Sequence, residues 1–249
     1  MRALITGASN GIGLEFAKKL NNLGYDLILV ARNEEKLKNI KKSLKGEVEI
    51  ISMDLSDEKN IYDLYDKTKG KIDLLINNAG FGLFGKFVET ELKDELNLID
   101  LNLKAYHILT KLFLQDMVKR DSGRILNVAS SAAFEPGPLM ASYYASKSYV
   151  YNLTMAIYEE LRREKSHVKI SVLCPGPVNT GFNDRANVKF NLKSLTPEYV
   201  VDYCISQMMK NKLVIIPSIR VKLGIFANRI FSKKFMLKVI YNIQKKKDN

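Results

Sequence analysis

Seven short runs of aliphatic and β-branched residues recur along the chain: Arg2–Thr6, Leu27–Val30, Val48–Ile51, Ile72–Ile76, Ile125–Val128, Val168–Leu173 and Leu213–Ile216. None alternates cleanly between apolar and polar, so each predicts a strand covered on both faces. Between them apolar positions recur at three- and four-residue intervals. That spacing predicts helices over roughly 12–20, 34–44, 57–69, 91–119, 143–165 and 197–210. Strand and helix in regular alternation predict an α/β fold. It is a doubly wound sheet of about seven parallel strands with right-handed crossovers and helices on both faces. Ligands of such sheets gather outside the carboxyl ends of the strands.

The pattern changes near residue 218. Leu223, Phe226, Ala227 and Ile230 share one helical face, and Met236, Val239, Ile240 and Ile243 share a second. Ser232 is placed to cap the second helix. The expected organisation is one domain over 1–217 and an amphipathic, basic helical extension over 218–249. Residues 219–249 carry +8 of the chain's net +12, so the basic character belongs to the tail. Its apolar faces have two destinations: against the body or a second subunit, or on an anionic membrane surface. No nucleic-acid partner is expected.

Composition narrows the class. With 46% apolar and 27% charged residues in 249, the chain is an ordinary globular protein rather than a disordered, collagenous or coiled-coil one. It has no apolar run of about 18 residues, so no spanning helix is expected. Cys174 and Cys204 lack metal-ligand spacing and read as small buried hydrophobes. His107 and His167 are too few for a histidine-rich site, and no metal is expected. No charged n-region precedes a separate apolar segment, which argues against a signal peptide. The expected setting is reducing and cytoplasmic, with peripheral membrane contact through the tail as the open alternative.

Candidate chemistry falls at strand ends. Thr6-Gly7-Ala8-Ser9-Asn10-Gly11-Ile12-Gly13 joins the first strand to the first helix. Glycines allow a tight turn and a close backbone approach to a pyrophosphate, which the helix N-terminus then favours. The second strand ends in Ala31-Arg32-Asn33. An NAD site would hold an acid near here, whereas Arg32 suits a 2′-phosphate, so NADP(H) is expected over NAD(H). Glu34 and Glu35 should lie on the outer first turn of the next helix. Tyr143 and Lys147 stand four apart and share a helix face. An ammonium beside a phenol favours the phenolate, and a depression of about three pKa units corresponds to roughly 4 kcal/mol. A Tyr tuned in this way can protonate a developing alkoxide. On spacing alone, such a pair usually marks an ordinary helix surface. Tyr144 should point elsewhere and pack.

Together, Thr6–Gly13, Asn77-Asn78-Ala79-Gly80 and Tyr143–Lys147 resemble the short-chain dehydrogenases/reductases, in that family's order and approximate spacing, over about 1–217. The resemblance implies a Rossmann-type fold and NADP-dependent reduction of a ketone, aldehyde or 3-oxoacyl group to an alcohol. It implies that Gly7, Ser9, Asn10, Gly11, Ile12 and Gly13 hold the pyrophosphate turn, Arg32 the ribose end, and Asp54 and Leu55 the adenine. Asn78, Ala79 and Gly80 would line the ribose. Pro175, Gly176, Val178 and Thr180 would line the nicotinamide. The implied catalytic set is Asn102, Ser130, Tyr143 and Lys147. Ser130 positions the carbonyl and Tyr143 protonates the alkoxide. Lys147 holds the ribose and depresses the Tyr143 pKa, and Asn102 supports a proton relay through water. Asn10 stands where some NADP-preferring relatives carry a basic residue. Substrate would meet Phe81, Gly82, Leu83 and Phe134–Met140. Residues 181–196, with Phe182, Phe190 and Leu192, would act as a lid. Those walls suggest a hydrophobic carbonyl compound. A homo-oligomer through helices near 93–119 and 143–165 is the family's habit. Two other readings stay open: an NAD(P)-dependent alcohol or hydroxysteroid dehydrogenase working oxidatively, and a non-catalytic NADP-binding scaffold at the membrane.

Overall fold

The computed structural model describes residues 1–180 and 194–245. The lid segment with Phe182, Phe190 and Leu192 lies outside the described residues, apart from Ser194–Thr196. The chain runs β1 (Arg2–Thr6), α1 (Gly11–Asn22), β2 (Asp26–Ala31), α2 (Glu34–Lys42), β3 (Val48–Ser52), α3 (Glu58–Thr68) and β4 (Leu74–Asn77). It continues with α4 (Leu92–Ile99), α5 (Ala105–Lys119), β5 (Arg124–Val128), α6 (Ala141–Arg163) and β6 (Lys169–Leu173). Last come α7 (Pro197–Met209), β7 (Val214–Ile215), α8 (Ile219–Ile230) and α9 (Lys233–Lys245).

The strands form one parallel sheet in the order β3-β2-β1-β4-β5-β6-β7. The winding reverses between β1 and β4, which opens a crevice at their carboxyl ends. Apolar side chains fill both faces. One layer joins Phe16, Leu20 and Leu29 to Cys204 and Met208, so α1 and α7 share a side. The other gathers Leu64, Leu75, Leu98, Phe113 and Ile125 under α3–α6. This explains why the strand runs lack alternation. Cys174 and Cys204 are free and fully buried, as small hydrophobes would be.

Side-chain caps set the helix starts where the crevice needs them. Asn10 Oδ1 accepts from the Gly11 amide at 2.8 Å at the head of α1, and Asn33 Oδ1 accepts from Lys36 N at 2.8 Å at the head of α2. The long helical pattern over 91–119 is α4 and α5 joined by a π-helical turn, Asp100–Lys104, which carries Asn102. Such turns recur at functional sites. β4 extends through Asn77, past the apolar run that predicted it. The Asn77 Nδ2 donates to Thr110 Oγ1 at 3.1 Å and Asn127 Oδ1 at 2.9 Å, which satisfies the donor side of a polar residue inside the sheet.

Candidate active site

One cavity of about 1040 Å³ lies along the carboxyl ends of β1, β2, β4, β5 and β6. Its shape begins with the glycine-rich turn. Gly7 has φ +67°, and a Cβ there would sit 2.8 Å from Ala79 Cα. Gly13 meets the turn more closely still: a Cβ would lie 2.3 Å from Gly7 O. Gly13 therefore does not line the cavity but seats α1 against the turn. Thr6 stitches the second wall to the first. Its hydroxyl accepts from Asn78 N at 2.9 Å and Ala79 N at 3.1 Å, while Asn78 Nδ2 donates to Thr6 O at 3.0 Å.

The remaining expected contacts fall along this cavity. Gly7, Ser9, Asn10, Gly11 and Ile12 line it from the turn, and Asn78, Ala79 and Gly80 from the end of β4. Arg32, Asp54 and Leu55 line the far end, and Pro175, Gly176, Val178 and Thr180 the wall after β6. Arg32 lies 3.6 Å from Asp54, with both side chains about half exposed. Burial raises the Asp54 carboxyl, but hydrogen bonds from the Ser56 amide and hydroxyl and the charge of Arg32 outweigh it, leaving the pKa below its ordinary value. Asn33 and Lys36 also line this end. The sequence signal for Lys36 was its place in the first turn of the helix that follows Arg32. Glu34 and Glu35 are paired with Lys38 instead. The turn, the amide-rich head of α1 and the cations at the far end fit an extended anionic dinucleotide.

At the opposite end lie Ser130, Tyr143 and Lys147. Ser130 follows β5 and starts a 3-10 turn, Ser131–Phe134, accepting from Ala132 N at 3.1 Å. Tyr143 and Lys147 enter from the first turns of α6. Tyr143 keeps part of its surface open to the cavity. Burial nonetheless pushes its phenol to about 12, opposed by a hydrogen bond with Ser130. Lys147 is 4% exposed, and burial pulls its ammonium down to about 8. Its Nζ donates to Val128 O at 3.0 Å and lies 5.9 Å from the Tyr143 ring centroid. The phenol is thus raised, not depressed. Burial outweighs the hydrogen bond from Ser130 that opposes it.

Asn102 is fully buried and outside the cavity lining. Its Oδ1 accepts from Phe81 N at 3.0 Å, and its Nδ2 donates to Phe81 O at 2.8 Å and Ser146 Oγ at 3.3 Å. The π-turn therefore holds the strand-end loop against α6, immediately beside Gly80 and Lys147.

The C-terminal helices close the cavity, which their pattern did not announce. Val221, Gly224, Ile225 and Asn228 of α8 and Ile240, Ile243 and Gln244 of α9 line it. Tyr144, expected only to pack, lines it too and accepts a hydrogen bond from Gln244, one hundred residues away. Glu135 accepts from Asn228 Nδ2 at 2.5 Å. No local signal could have paired these residues. Among the described residues no group of His, Cys, Asp and Glu is arranged to hold a metal.

Comparison with known proteins agrees with this geometry. The family model described as short chain dehydrogenase matches residues 1–190. A Staphylococcus epidermidis protein named an uncharacterized oxidoreductase is 35% identical over 181 residues, 72% of this chain and 78% of its own. Among solved structures, a Sphingobium yanoikuyae short-chain dehydrogenase in complex with NADPH superposes with TM-score 0.84 at 28% identity, covering 94% of both chains. A Burkholderia phymatum short chain dehydrogenase/reductase in complex with NAD gives TM-score 0.84 at 26% identity, covering 92% of both. The chain therefore belongs to the short-chain dehydrogenase/reductase family, oxidoreductases that act on a CH–OH/C=O pair with a nicotinamide cofactor.

Proposed function

We propose that the protein reduces a hydrophobic ketone, aldehyde or 3-oxoacyl group to the alcohol with NADPH, in a reducing, cytoplasmic setting. The observation that carries this reading is one cavity with two chemically distinct ends. Arg32 and Lys36 offer two cations to a 2′-phosphate, and Ser130, Tyr143 and Lys147 converge at the other end. When bound, the cofactor supplies the hydride. Ser130 donates a hydrogen bond to the carbonyl oxygen and positions it. Tyr143, held neutral with a pKa of about 12, keeps its proton until the more basic alkoxide forms, so the transfer runs downhill. Lys147, charged below about pH 8, stabilises the phenolate left behind. Asn102 acts as a positioning residue through the Phe81 backbone.

A phenol near 12 stays protonated at neutral pH, the form that donates to an alkoxide. Phe81, Met140, Val221, Ile225 and Ile240 give the cavity apolar walls, which supports a hydrophobic substrate. Leu92, Leu96, Ile99 and Tyr158 expose apolar surface on α4 and α6. That supports homo-oligomer formation through this side.

The test follows NADPH consumption across graded ketones and 3-oxoacyl thioesters, with NADH in parallel. Turnover should prefer NADPH and fall at least about a hundredfold in Tyr143→Phe while NADPH affinity stays within a few-fold. Undiminished turnover in Tyr143→Phe, or a preference for NADH, would overturn the reading.

A further inference from the structure

We infer that the outer face of α8 and the corner joining it to α9 rest on an anionic lipid surface. This goes beyond the reductase reading, and binding alone tests it. At about 100° per residue, Val221, Ile225 and Asn228 lie on one side of α8 and face the cavity. Ile219, Leu223, Phe226 and Ile230 fall within about 60° of one another on the opposite side. They are 74%, 64%, 62% and 64% exposed. A helix apolar on both sides has one side left to cover, and nothing within the described residues covers this one. The stripe continues into Phe231 and Phe235, half exposed, with ring centroids 5.5 Å apart.

Charge selects the occupant. Residues 203–247 contain eleven Lys and Arg and no Asp or Glu. Arg220 and Lys222 flank the apolar stripe on either side, and exposed Lys233, Lys234 and Lys238 follow on α9. Among the described residues none of these five joins a salt bridge. A second copy paired on this face by a two-fold axis would set two acid-free cationic stretches against each other. An anionic bilayer offers what both features need: an acyl boundary for the stripe and headgroup charge for the lysines. No helix among the described residues is long and apolar enough to cross a membrane, so the contact is with the surface. Because α8 walls the cavity with its other side, docking sets the substrate space about one helix diameter, ~10 Å, from the lipid.

The experiment is co-sedimentation of the full chain with phosphatidylcholine vesicles, with and without phosphatidylglycerol. Protein should pellet with the phosphatidylglycerol vesicles, and less of it as salt shortens the Debye length from about 10 Å at 0.1 M to about 3 Å at 1 M. Leu223→Ser/Phe226→Ser/Ile230→Ser should bind at least about tenfold more weakly. Lys233→Glu/Lys234→Glu should lose more than roughly fivefold per position. Circular dichroism checks that both variants fold, since all five positions are exposed. Failure of the wild-type chain to pellet overturns the inference, as does equal binding by the apolar triple variant. Light scattering that shows an oligomer abolished by the triple variant, with no vesicle binding, would hand the face to a second copy.

Discussion

Replacing Lys147 by Met should stabilise the cofactor-free fold at neutral pH while removing turnover. The ammonium sits 4% exposed between β5 and α6, with its pKa pulled from 10.5 to about 8 by burial. That displacement corresponds to roughly 3 kcal/mol against holding the charge in the folded state. Methionine fills a similar volume without the charge. The substitution loses the Nζ bond to Val128 O and the contact 5.2 Å above the Tyr106 ring. Val128 O keeps the Tyr106 hydroxyl at 3.1 Å, so the loss is about 1 kcal/mol. The net gain is about 2 kcal/mol at pH 7. Its pH dependence distinguishes this cause from better packing. The folded-state pKa lies below the unfolded one, so the unfolded wild-type chain binds more protons between about 8 and 10.5. Wild-type stability therefore rises across that window, and the advantage of Met shrinks and then reverses. Urea unfolding of both proteins at pH 7 and at pH 10 reads the difference directly. A variant less stable at pH 7, or a gap unchanged between the two pH values, would refute the reasoning.

Other consequences are equally open to measurement. Gly7→Ala should destabilise the fold by about 1–3 kcal/mol and abolish dinucleotide binding, because Gly7 combines φ +67° with 2.8 Å between its would-be Cβ and Ala79 Cα; thermal unfolding and fluorescence titration check both. Arg32→Ala and Lys36→Ala should each weaken NADPH about tenfold or more and leave NADH nearly unchanged, as titration with both nucleotides would show. Reductive kcat should fall as pH rises through about 8, where Lys147 loses its charge; a profile flat to pH 9.5 would contradict that role. Phe113→Ala, which empties a 1% exposed site beside the Tyr65 ring, should cost about 3–5 kcal/mol in urea unfolding.

A parallel sheet covered on both faces could be argued from the sequence because its determinants are local. Runs such as Leu27–Val30 and Val48–Ile51 need cover on both faces, and right-handed crossovers leave few ways to supply it. The glycine turn was legible for the same reason: Gly7 and Gly11 have positive φ, a demand that a single residue answers. Tyr143 and Lys147 declared a shared helix face through their spacing. Other features depended on distant chain segments meeting. The raised Tyr143 phenol and lowered Lys147 ammonium reflect how deeply β5, β6 and α6 enclose them, and burial is a sum over the whole fold. Lys36 became a cavity residue because the pairing of β2 with β1 sets the head of α2 beside the glycine turn. The same holds for the tail. Its amphipathic period predicted two helices, and both formed. Which faces turned inward was decided by contacts such as Gln244 with Tyr144 and Asn228 with Glu135, which join residues about a hundred positions apart. Periodicity specifies that a helix has an apolar side; only the surface it meets specifies which side is covered, and α8, apolar on two sides, was covered on one.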